Sequence, residues 1–97
     1  MSSESHVAGV RDLLSLVTRA IVAMPDEVAV TVIPKEHSVV FHIRVARGDI
    51  SRVIGRGGRT ARSLRIILGA ISSMQGESYQ LDIDEGSDVS VATAKTS

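Results

Sequence analysis

Apolar residues recur at Val7, Val10, Leu14, Val17, Ile21 and Met24, at spacings of three and four, the period of a helix with one buried face. The spacing predicts a helix from about His6 to Met24. Ser5 stands where an N-cap belongs, and Pro25 closes the pattern because the residue before a proline is biased away from helix. Leu13, Leu16 and Ala20 widen the apolar stripe, as expected of a helix packed on a sheet. The period then changes. From Glu27 to Ile33 it is two, with Val28, Val30 and Val32 on one face. From Ser38 to Ala46 it is two again, with Val39, Phe41, Ile43 and Val45 opposite Val40, His42 and Arg44. The turn residues Pro34 to His37 between these strands are few enough to require an antiparallel hairpin.

Gly48 and Asp49 end the second strand, and Asp49 is placed to cap a short helix running through Ile54. A second long helix is predicted from Arg59 to Met74. At about 100° per residue, Ala61, Leu64, Ile67, Leu68, Ile71 and Met74 share one broad face, while Arg59, Arg62 and Arg65 lie opposite. Gly76 is a natural C-cap. Alternation returns from Glu77 to Asp84, with Tyr79, Leu81 and Ile83 pointing one way. A helical crossover makes this third strand parallel to the second. The fold class is α+β: helix, strand, strand, helix, helix, strand, with the helices packed on one face of a three-stranded mixed sheet.

Composition narrows the class. Ninety-seven residues with an ordinary apolar share make one domain. Met1 to Ser5 is expected to fray. Residues 86–97, mostly Gly, Ser, Thr, Asp and Ala with only Val89 and Val91 to bury, are expected to form a disordered tail. Cysteine is absent, which removes disulfide and thiol chemistry and suits a reducing compartment. No apolar run approaches the roughly 20 residues of a membrane span, and the start lacks a basic region followed by an apolar one. A soluble, cytoplasmic domain is expected.

The formal net charge is zero, but the average conceals a separation. Arg44, Arg47, Arg52, Arg56, Arg59, Arg62 and Arg65 fall in one stretch with a single acid, Asp49, a balance of +6. The remaining four basic residues face ten acids, a balance of −6. The positive stretch surrounds Val53-Ile54-Gly55-Arg56-Gly57-Gly58-Arg59. Glycines let a backbone turn sharply and be approached closely. The helix beginning after Gly58 presents amide N–H groups with no partner inside the helix, which attract phosphate oxygens. Turn, N–H groups and guanidinium groups together form a grip for a sugar-phosphate backbone.

Other chemistry is poorly supported. His6, His37 and His42 lie in separate elements without ligand spacing, so no metal site is expected, and Asp82, Asp84 and Glu85 read as solvated acids. No nucleophile and base are clustered for catalysis. The glycine turn lacks the G-x-x-x-x-G-K-[ST] pattern and the G-x-G-x-x-G spacing after a strand that nucleotide-binding loops need. No cofactor or small-molecule substrate is implied.

The run Val53-Ile54-Gly55-Arg56-Gly57-Gly58, placed between two helices and after a strand, resembles the V-I-G-x-x-G signature of KH domains. The helix and strand that precede it match the bacterial, type II arrangement. Most of residues 7–84 is similar to the small KhpA-like proteins, including Pro25-Asp26-Glu27-Val28, Val45-Ala46, Asp49 and Gly55 to Arg65. On that resemblance residues 6–85 form a KH domain. The likeness implies a cytoplasmic bacterial protein that binds single-stranded RNA as a chaperone or post-transcriptional regulator. It implies self-association and a larger KH-containing partner of the KhpB, Jag or EloR kind, acting in cell elongation and division. Gly55, Arg56, Gly57 and Gly58 would form the loop that clamps the RNA backbone. Arg56 and Gly57 depart from the lysine and polar residue common inside that loop.

The clamp would take about four nucleotides. Arg56 and Arg59, with backbone N–H groups near Gly57 and Gly58, would hold phosphates, and Arg62 lies beside them. Bases would lie in an apolar groove between the helices and the second strand, floored by Val53, Ile54 and Val45. Phe41 and Tyr79 are the only aromatics, so base stacking on an aromatic platform is not expected. The competing reading is an adaptor that keeps the fold and binds RNA weakly or not at all.

Overall fold

The computed structural model describes residues 3–85. The order of elements is α1 (Ser3–Ile21), β1 (Ala29–Pro34), β2 (Val39–Val45), α2 (Ile50–Ile54), α3 (Arg59–Gln75) and β3 (Tyr79–Glu85). The strands form one sheet in the order β1-β2-β3. β1 and β2 pair antiparallel, with Val32 opposite Phe41. β2 and β3 pair parallel, with Phe41 opposite Leu81. The α+β class, the hairpin and the parallel crossover are as the patterning requires. Among the described residues no helix is long and apolar enough to cross a membrane.

Alternation decides which side of the sheet is dry. Phe41, Ile43 and Val45 of β2, with Tyr79 and Leu81 of β3, face the helices and are buried with Val10, Leu14, Val28, Val53, Leu64 and Leu68. Phe41 and Tyr79 meet edge to face, ring centroids 5.3 Å apart, a geometry worth about 0.5–1.5 kcal/mol beyond the area it buries. On the other side of the sheet His42 lies between two carboxylates, Nδ1 3.2 Å from Asp82 and Nε2 3.3 Å from Asp84.

Several sequence expectations are corrected. α1 begins at Ser3, so Ser5 lies inside the helix and not at its cap. Met1, Ser2 and the tail expected at 86–97 lie outside the described residues. α1 also stops at Ile21, short of Met24. The cause is Asp49. Its carboxylate accepts the N–H groups of Ala23 at 2.9 Å and Met24 at 3.0 Å, withdrawing both donors from the helical ladder. Pro25 instead opens a single 3₁₀ turn through Glu27, so β1 starts at Ala29. The apolar face of α3 is narrower than its periodicity implies. Ala61, Leu64 and Leu68 are buried, but Ile67 is 47% and Met74 86% exposed. Among the described residues three α-helices share three strands, and each covers only a stripe.

Candidate nucleic-acid interface

The glycine turn is built by backbone conformation. Gly55, Gly57 and Gly58 all have positive φ, at 83°, 64° and 75°, a region that other residues enter only at a cost. The turn is anchored at both ends. Gly55 N–H donates to Ser51 O at 2.8 Å, and Gly58 N–H to Gly55 O at 3.0 Å. The Arg59 N–H reaches Arg56 O. The N–H groups of Arg56 and Gly57 take no part in these turn-closing hydrogen bonds. The sequence placed phosphate-holding N–H groups near Gly57 and Gly58, and in the structure the Gly58 N–H closes the turn on Gly55 O.

The two inner positions of the turn are open. A side chain at Gly57 would have nothing within 4 Å. Arg56 and Arg59 are exposed, and neither has an ion-pair partner among the described residues. Arg62, one turn into α3, donates from Nη2 to Gly57 O at 3.2 Å and so braces the loop from the helix.

Val45 and Val53 do not belong to a contact surface. They are 1% and 0% exposed, and a side chain with no accessible surface cannot touch a ligand. They fix α2 on β2 and thereby set where the loop sits. Ile54, the last residue of α2, is half-buried beneath the turn.

A groove in the structure lies at a different strand from the one the sequence proposed as its floor. β2 is the central strand, with β1 on one edge and β3 on the other, so its backbone groups are committed. The edge left open toward α3 is that of β3. A groove of about 250 Å³ runs there, lined by Arg65, Leu68, Tyr79, Gln80 and Leu81. Ser78 O accepts the Val39 N–H at 2.8 Å, so even-numbered residues face β2 and Tyr79, Leu81 and Ile83 turn their backbone groups outward. Two contacts agree: Tyr79 N–H donates to Ser72 Oγ at 3.2 Å, and Arg65 Nη2 to Leu81 O at 3.4 Å. Arg62 and Arg65 therefore lead from the loop to the groove along one side of α3. Arg65 was legible in the sequence only as part of an arginine row. Which strand edge it meets depends on sheet order.

The seven arginines are not all on this surface. Arg52 Nε is 3.3 Å from Asp49 Oδ1, and Arg44 lies on the sheet face away from the helices, paired in register with Asp84. Arg47 lies in the turn Arg47–Asp49 before α2, and Arg56, Arg59, Arg62 and Arg65 form the basic side of the loop and groove.

A short helix, a glycine loop in the left-handed region and a long helix, set on a β-α-α-β core with an extra helix and strand at its start, define a type II KH domain. The family model for the KhpA/KhpB KH domain matches residues 11–83, and the chain belongs to that family. It is 40% identical over 72 residues to "RNA-binding protein KhpA" of Treponema pallidum, covering 74% of this chain and 90% of that one. The protein of the same name in Aquifex aeolicus is 38% identical over 79 residues, 81% of this chain and all of the relative. That of Borreliella burgdorferi is 36% identical over 72 residues, 74% and 88% of the two chains.

Proposed function

We propose that this protein binds single-stranded RNA without catalysis. The loop Gly55 to Gly58 would grip the sugar-phosphate backbone, and a base would be seated in the groove between α3 and β3. The observation that carries this reading is the left-handed glycine turn at Gly55, Gly57 and Gly58, which bears the exposed side chains of Arg56 and Arg59. A turn already held by its own hydrogen bonds loses little entropy when an anion arrives. The name borne by the relatives agrees. One shallow groove and one four-nucleotide clamp would bind weakly. Self-association, or pairing with a larger KH protein of the KhpB kind, would raise affinity through effective concentration. On this reading the protein acts in the cytoplasm as an RNA chaperone or post-transcriptional regulator, with cell elongation and division as the process served.

The test is titration of a short unstructured RNA against the wild type and the double variant Arg56→Asp, Gly57→Asp. Position 57 has room for the new side chain, and aspartate tolerates the left-handed region better than most residues. The expected outcome is an affinity loss of at least about tenfold with an unchanged circular dichroism spectrum. Equal binding by both proteins would overturn the loop as the grip, and no binding by the wild type would favour the adaptor reading.

A further inference from the structure

Resting on that RNA-binding reading, we propose that Arg65 makes the groove at the β3 edge selective for guanine over adenine. Arg65 is exposed on α3 and lines the groove together with Leu68, Tyr79 and Leu81. Its tie to Leu81 O is long, at 3.4 Å, where a well-formed N–H···O bond is near 2.9–3.0 Å. The guanidinium is thus held over the groove with most of its donors unspent, and it has no acceptor to offer.

The chemistry of the pocket is therefore weighted toward donors. Arg65 supplies a planar fork, and the N–H of Leu81 points along the same free strand edge. Tyr79 N–H is already taken by Ser72 Oγ. Guanine presents two adjacent acceptors, O6 and N7, which match the fork with two parallel hydrogen bonds. Adenine presents N7 beside an amino group, so one arm of the fork would meet a donor. The apolar walls from Leu68 and Leu81 accept either purine ring and do not discriminate. Position along the chain is suitable as well: Arg65 is seven residues beyond Gly58, roughly 10 Å along the helix at 1.5 Å per residue. That is within the reach of a strand whose phosphates are held at the loop.

The experiment compares two uridine-rich RNAs that differ only in carrying guanine or adenine at the same two internal positions, at one fixed salt concentration. Wild-type protein should bind the guanine strand about tenfold more tightly. Arg65→Gln should bring the ratio to one or below, because a carboxamide pairs with the amino group and N7 of adenine. Arg65→Lys, which keeps the charge, should retain a reduced preference for guanine. Equal wild-type affinities overturn the proposal. So does a preference that survives in Arg65→Gln, or a uniform weakening with an unchanged ratio, which would make Arg65 a phosphate contact. Binding of neither RNA would sink the RNA-binding reading itself, and the proposal with it.

Discussion

Gly55 and Gly57 differ by two positions in the chain and by much more in what they tolerate. A Cβ at Gly55 would lie 2.7 Å from the Thr60 backbone nitrogen and closer still to its hydroxyl. The loop folds back there onto the first turn of α3, and φ is positive as well. Gly55→Ala is expected to cost about 3 kcal/mol or more, the sum of left-handed strain and overpacking. Gly57→Ala, with open space around it, should cost about 1 kcal/mol. Urea denaturation of the two variants checks the difference. Tyr79 offers a second contrast. Its hydroxyl is buried without a hydrogen-bond partner among the described residues, so Tyr79→Phe should stabilise the protein by about 1 kcal/mol. Burial, and then the charge of Glu77, raise its pKa above the ordinary 10.0. A phenol whose folded pKa is raised contributes stability in full below about pH 10 and loses it as pH rises through the folded value. Thermal melts between about pH 9 and 11 should show that alkaline loss in the wild type and less of it in Tyr79→Phe. The two glycines looked alike in the sequence. Their local conformation was implied by residue type, but the contact with Thr60 was not.

At the scale of elements, Asp49 is the joint. The sequence offered it as a cap for α2, and α2 does begin at Ile50, yet the carboxylate makes no cap hydrogen bond there. It is 2% exposed and is spent on the chain leaving α1, with Arg52 at its side. One acid thus ends α1 and fastens it to the helix that leads into the loop. Asp49→Ala should cost about 2 kcal/mol by leaving Ala23 and Met24 N–H groups unpaired. Asp49→Asn, which keeps one acceptor, should cost about half as much. Chemical denaturation measures both. Nothing in the sequence marked this role, because the partners lie 25 and 26 residues away and are backbone atoms, identical in every residue but proline. α3 shows the converse. Its start, its C-cap at Gly76 and its buried Leu64 and Leu68 followed from period and turn chemistry. Which of its flanks met a strand edge did not.

For the whole molecule, charge separation matters more than the net value. A chain of zero net charge should bind RNA with a salt dependence set by its local basic surface alone. With about three phosphates neutralised by Arg56, Arg59 and Arg62, a plot of log affinity against log salt should have a slope near −2. Titrations across a salt series measure it, and a flat dependence would exclude the arginine face as the contact. Arg44 and Arg52 should leave that slope unchanged when replaced, since Arg44 lies on the sheet face away from the helices and Arg52 is paired with Asp49.

The order of elements, the burial alternation and the place of the glycine turn were determined by the sequence, because period, turn residues and glycine conformation are local properties written in successive side chains. Three things were decided only by tertiary structure: that β2 is central and β3 carries the open edge, that Val45 and Val53 are core, and that Asp49 serves a distant backbone. Each depends on which atoms come together across the sheet and between helices. Local periodicity specifies which face of an element is apolar, but not which neighbour will cover it or which edge will stay free.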